Sequence, residues 1–131
     1  MAQPKLDLIG IIVRDMAASL AFYRQLGLDI PAGAEAEGHV ETVLPGGLRM
    51  AWDTQDVIRS FDEHWQPPAC SHGIGMAFLC DSPAQVDEVF ARLTGMGVRA
   101  HKAPWDAFWG QRYAQVLDPD GNVIDLFAPL G

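Results

Sequence analysis

Ile11-Ile12-Val13-Arg14-Asp15-Met16, continued by Leu20-Ala21-Phe22-Tyr23-Arg24-Gln25-Leu26-Gly27-Leu28, carries the clearest structural signal in this chain. The run leading into it, Lys5 to Val13, is rich in Leu and Ile and too short for a helix, so it reads as a strand buried on both faces. Asp15 then stands as an N-cap, Met16, Leu20, Tyr23 and Leu26 recur at helical spacing, and Gly27 occupies the C-terminal stop. The pattern is strand, cap, amphipathic helix. It recurs half a chain later. Gly75 to Cys80 is a short apolar strand closed by Asp81, and Ser82-Pro83-Ala84-Gln85 has the form of a capping box with Pro at the first helical position. Val86, Val89, Phe90 and Leu93 make the second apolar stripe, which Gly95 and Gly97 end. An internal duplication is the economical reading.

Each half continues with material suited to short antiparallel strands. His39 to Leu44 and Leu48 to Asp53 flank Pro45-Gly46-Gly47, and Arg112 to Leu117 and Asn122 to Ala128 flank Asp118-Pro119-Asp120-Gly121, both turn signals between strand-like runs. Each half therefore reads as βαβββ, with one of the middle strands less clearly marked than the others. Val57, Ile58, Phe61 and Trp65 suggest a short helix, broken by Gln66-Pro67-Pro68, that links the halves. The expectation is a single α+β domain of two modules, about 5–65 and 73–131.

Length and composition agree with this. At 131 residues the chain is one domain's worth and buries roughly two-thirds of its unfolded surface without staples. Hydrophobic residues at 49% and charged residues at 20% exclude disordered, collagen-like and coiled-coil classes. Nine Lys and Arg against seventeen Asp and Glu give a net charge of −8, the wrong sign for nucleic acid or an anionic membrane. Cys70 and Cys80 are too few for a disulfide scaffold and fit no CxxC spacing, so reduced thiols in a cytoplasm are expected. Neither a secretory leader nor a membrane span is legible.

The duplicated unit, with the Ile12 to Met16 and Leu20 to Leu28 segments of the first module and Asp118-Pro119-Asp120-Gly121-Asn122-Val123-Ile124-Asp125-Leu126 of the second, resembles the vicinal oxygen chelate superfamily. That superfamily includes glyoxalase I, bleomycin-resistance proteins and extradiol dioxygenases. The resemblance covers nearly the whole chain. It implies two modules whose strands form an open, cupped, barrel-like mixed sheet with helices outside, commonly in a two-fold homodimer. It also implies metal ligands at equivalent inner-face positions, usually His on the first strand of each module and Glu or His on a later strand. Divalent metals need several such N or O ligands converging. Here the first-strand positions fall on Leu8 and Gly75, and neither can bind metal. On the last strand of the first module the position falls near Ala51 to Asp53, where Asp53 is the one usable group, and in the second module it falls on Asp125. The expectation is no metal cofactor. The alternative, an atypical divalent-metal site, would have to be built from His72, Glu41 or His39 with Asp125.

Strand alternation puts Val123 and Phe127 on the face of Asp125, and Gly75, Ala77 and Leu79 on the inner face of the second module's first strand. A carboxylate in such apolar surroundings awaits a cationic or hydrogen-bonding partner. The other reading has Asp125 tied to Arg112 or a backbone amide. Trp105-Asp106-Ala107-Phe108-Trp109-Gly110-Gln111-Arg112-Tyr113 is the richest aromatic stretch in the chain, read as a loop that packs on the cup as a lid or closes a subunit interface. Flat rings suit stacking on planar or cationic ligands, and superfamily members that sequester antibiotics use aromatic clefts. Trp52 is either a further wall of that cleft or core. Phe22 and Tyr23 lie on the helix stripe and read as core, and Met50, Met76 and Met96 as gap-fillers. No nucleophile elbow, phosphate loop or supported Cys-His pair is present.

The ligand-binding set is thus Trp105, Trp109, Phe108, Trp52, Tyr113, Asp125 and Phe127, with no catalytic residue. The expected function, following the resemblance, is a cytoplasmic homodimer that binds a planar aromatic or cationic small molecule without metal. A glyoxalase-like lyase or dioxygenase-like enzyme with an atypical divalent-metal site is the alternative, and a structural or regulatory module whose cup is filled by its own side chains is a third.

Overall fold

A computed structural model describes residues 3–68 and 74–131. The chain divides into two compact units, Met1–Pro67 and Pro68–Gly131. Cys70 and His72 lie outside the described residues.

In the first unit, β1 (Leu8–Val13) leads into α1 (Met16–Gln25), then β2 (His39–Val43), β3 (Arg49–Thr54) and α2 (Gln55–Phe61). The sheet runs in the order β1-β3-β2, with β1 parallel and β2 antiparallel to β3. The Asp15 carboxylate accepts from the Ala18 amide at 3.1 Å, the N-cap its position predicts. Gly27 adopts φ of 91°, the left-handed stop that L side chains rarely adopt. Leu20 and Tyr23 of α1 are fully buried, as are Val13, Ala51 and Trp52 of the sheet, and the Tyr23 and Trp52 rings meet at 5.6 Å. The strand begins at Leu8 rather than Lys5, because Leu6 is exposed and only the Asp7 carbonyl joins the ladder, accepting from Arg49. The weakly marked middle strand of this unit is replaced by a 3₁₀ turn, Ala34–Ala36, entered through Gly33 at positive φ.

The second unit has the full complement: β4 (Met76–Leu79), α3 (Pro83–Gly95), β5 (Arg99–Ala107), β6 (Gln111–Leu117) and β7 (Val123–Pro129). Its sheet order is β4-β7-β6-β5, with β4 parallel to β7 and the two hairpins antiparallel. Ser82 caps α3 by accepting from the Gln85 amide at 3.1 Å, while the Gln85 side chain reaches back to the Asp81 amide. The turn between β6 and β7 is held by Asp118, whose carboxylate accepts from the Asp120 and Asn122 amides at 2.9 and 2.8 Å.

Alternation along the strands gives this sheet two unlike faces. Ala114, Val116, Ile124, Leu126 and Ala128 are buried on the face that α3 covers with Val86 and Leu93. At about 1.5–3 kcal/mol for each large aliphatic side chain buried, that face stabilises the unit. Tyr113, Gln115, Val123, Asp125 and Phe127 point the other way and stay half-exposed. Among the described residues no helix is long and apolar enough to cross a membrane.

Candidate functional site

The half-exposed face of the second sheet carries two adjacent rows fixed by strand register. Trp105 on β5 lies opposite Tyr113 on β6, Tyr113 opposite Phe127 on β7, and Phe127 beside Leu79 on β4. The next row runs from Lys102 through Gln115 and Asp125 to Ala77. Irregularities between Ala100 and Lys102 and between Lys102 and Trp105 break the alternation of β5 yet keep both residues in these rows.

The aromatic row is a connected cluster. Trp105 meets Tyr113 edge-on at 5.5 Å, Trp109 meets Tyr113 at 5.3 Å and Trp105 at 6.2 Å, and Tyr113 leans on Phe127 at 6.1 Å. The stretch expected as a loop is a β-hairpin. Trp105 belongs to β5, and the reversal is confined to the residues around Gly110, whose φ of 92° makes the turn possible. Trp109 sits in that turn, 49% exposed, and its indole N–H donates to Gln111 Oε1 at 2.8 Å. Phe108 at the tip is 96% exposed and touches only Trp109 among the aromatic rings, at 5.0 Å.

Beside the rings lies Asp125. Tyr113 OH donates to its Oδ2 at 2.6 Å and Gln115 Nε2 to its Oδ1 at 2.9 Å. Among the described residues neither Arg112 nor a backbone amide bonds to the Asp125 carboxylate. Arg112 faces α3 instead and pairs with Asp87 and Asp106. Burial, reinforced by the bond to Asp125, pushes the Tyr113 hydroxyl up to about 12, so it is protonated at neutral pH and fixed as a donor. Lys102 extends its ammonium over the Trp105 ring, 3.9 Å from the centroid.

Of the sequence-derived set, Trp105, Trp109, Tyr113, Asp125 and Phe127 are thus brought together, and Phe108 caps their edge. Trp52 is not among them. It lies in the first unit with no exposed surface, packed on Tyr23, and is a core residue. Gln115 and Lys102 join the site without having been expected from the sequence. Counting outward from the Asp118–Gly121 turn would have placed Gln115 opposite Asp125, whereas the irregular β5 hid Lys102.

The first unit's half-exposed face carries a charged chain. Asp7 binds Arg49 at 2.5 Å, Arg49 binds Glu41 at 2.7 Å, and His39 bonds Glu41 through Nε2 at 2.8 Å and Asp53 through Nδ1 at 2.5 Å. The Glu41 and Asp53 carboxylates hold His39 above its usual value. Both ring nitrogens are spent on carboxylates, and among the described residues no three His, Cys, Asp or Glu side chains group to hold a metal ion. Leu8 and Gly75 stand equally far before their N-caps, Asp15 and Ser82, so these two positions correspond. By the same correspondence Asp125, beside Ala77, matches Ala51, beside Gly10, so the equivalent carboxylate is missing from the first unit. Among the described residues, Asp125 is thus the one carboxylate at these corresponding positions. Cys80 is buried, and burial together with Asp81 pushes its thiol up.

Residues 5–126 match the family model described as the glyoxalase/bleomycin resistance protein/dioxygenase superfamily. No curated protein matches the chain. Among solved structures, a glyoxalase/bleomycin resistance protein/dioxygenase family enzyme from Burkholderia phytofirmans PsJN superposes with a TM-score of 0.83 at 20% identity, covering 97% of this chain and 100% of that one. A glyoxalase/bleomycin resistance protein/dioxygenase from Nocardioides gives 0.74 at 23% identity over 99% and 86%. A glyoxalase-related enzyme from Fulvimarina pelagi gives 0.78 at 16% over 96% and 88%. At these identities the likeness is one of fold.

Proposed function

Given that the chain belongs to the glyoxalase/bleomycin resistance protein/dioxygenase superfamily, we propose that it is a metal-independent small-molecule-binding protein, and that its ligand is planar and lies on the aromatic row of the second unit. The observation that carries this reading is the juxtaposition of Trp105, Trp109, Tyr113 and Phe127 with a carboxylate held by neutral donors. Rings half open to solvent offer stacking area, and the fixed carboxylate orients a polar edge of the ligand. Tyr113 is poorly suited to proton transfer, because its hydroxyl is committed to Asp125 and ionises only at high pH. The protein is proposed to work as a cytoplasmic homodimer.

A thermal-shift screen of planar aromatic compounds, run beside elemental analysis of the purified protein, tests this. Stabilisation by a compound in metal-free protein supports the binder. Stoichiometric divalent metal required for ligand binding or turnover would favour a lyase or dioxygenase of the same fold.

A further inference from the structure

Lys102 and Asp125 lie in one row of the second sheet with Gln115 between them, yet the lysine does not lean towards the carboxylate. Its ammonium sits over Trp105 at 3.9 Å instead. Among the described residues neither Lys102 nor Asp125 takes part in an ion pair, and both bonds to Asp125 come from neutral donors. The site therefore holds a cation on its ring and an uncompensated anion on its floor. Both features favour positive charge in a ligand.

We propose that Lys102 is a tethered internal occupant of this site, and that the ligand is a planar aromatic cation that displaces the lysine ammonium from Trp105 and brings its own charge to Asp125. This rests on the binding reading above and deepens it by naming the ligand's charge. The displacement is cheap because Lys102 is an exposed residue at an irregular point of β5, so its freed ammonium returns to water. The incoming cation gains what the lysine does not take, an electrostatic contact with the half-buried carboxylate. Lys102 thereby competes with any ligand for the ring, and a cation recovers at Asp125 what displacing it costs.

Three matched probes test the inference by calorimetry on the full chain at neutral pH: N-methylquinolinium, the neutral isostere quinoline, and quinoline-2-carboxylate. The expected order of affinity is cation, neutral, anion, with the cation's advantage shrinking as salt is raised. Lys102→Met keeps the aliphatic stem and removes the charge. It should tighten N-methylquinolinium roughly two- to fivefold, the worth of an exposed cation–π contact. Asp125→Asn should abolish the preference for N-methylquinolinium over quinoline. Circular dichroism confirms folding, and Lys102→Gln serves as a second charge-removing variant. Equal affinity for cation and isostere, weaker or unchanged cation binding in Lys102→Met and Lys102→Gln, or tightest binding by the carboxylate would overturn the inference. If quinoline binds without any preference for its cation, only this inference falls. If no probe binds the wild type or either Lys102 variant, the binding reading falls with it.

Discussion

Replacing Trp105 by Ala removes one wall of the aromatic row and tests whether that row is a site or a core. The ring touches Trp109 and Tyr113 edge-on and lies half-exposed on β5. Two such contacts contribute about 0.5–1.5 kcal/mol each beyond the partial burial of the ring, so the loss of fold stability should stay below that of truncating a fully buried ring. Trp52→Ala is the internal contrast. Its ring has no exposed surface, so truncation should cost about 3–5 kcal/mol. For binding the order reverses. Loss of a central aromatic anchor costs about 1–3 kcal/mol, so the dissociation constant for a planar aromatic ligand should rise roughly 5- to 150-fold in Trp105→Ala. The folded fraction of Trp52→Ala should keep wild-type affinity. Urea unfolding followed by far-ultraviolet circular dichroism measures the first quantity without relying on tryptophan emission, and calorimetry measures the second. A Trp105→Ala protein that is as destabilised as Trp52→Ala, and whose folded fraction binds normally, would make the row a core and refute the placement of the site.

Three further outcomes are expected. Purified protein should carry less than stoichiometric Zn, Ni, Mn or Fe, and excess chelator should leave its melting temperature unchanged; a large fall on chelation would show a metal bound by groups other than those described. His39, held above its usual value by Glu41 and Asp53, contributes stability that is fully present below about pH 6.5 and is lost as pH rises through its folded value; melting temperature should therefore fall across that window, His39→Gln should flatten the profile, and a rise there would contradict the network. The proposed homodimer should give twice the monomer mass by light scattering at micromolar concentration, and a monomeric mass counts against it.

The sequence displayed the fold at the points where local chemistry is strict. Asp15 and Ser82 cap their helices, Gly27 and Gly97 take the left-handed conformation after them, and Asp118 holds the last hairpin turn. Each of these is a short-range requirement that few residue types meet, so spacing alone reveals it. What stayed hidden depends on long-range pairing. Alternation along β5 is broken at two points and Pro104 interrupts the run, so the aromatic stretch read as a loop and the row position of Lys102 was illegible. Trp52 shows the converse difficulty. An apolar strand residue has the same sequence appearance whichever face it takes, and only the Tyr23 ring across from it decides for the core. The partners of Asp125 fell between these cases, since strand alternation gave its face correctly while naming Tyr113 and Gln115 as its donors required the register of β6 against β7.

The indole N–H signals of Trp52, Trp65, Trp105 and Trp109, followed in a ¹⁵N-correlated spectrum as N-methylquinolinium is added, report where the ligand sits. A ligand stacked on the second unit's aromatic row shifts Trp105 and Trp109 along one saturable curve and leaves Trp52 and Trp65 in place. Movement confined to Trp52 or Trp65, or a saturating heat of binding with Trp105 and Trp109 unmoved, would put the ligand away from the aromatic row.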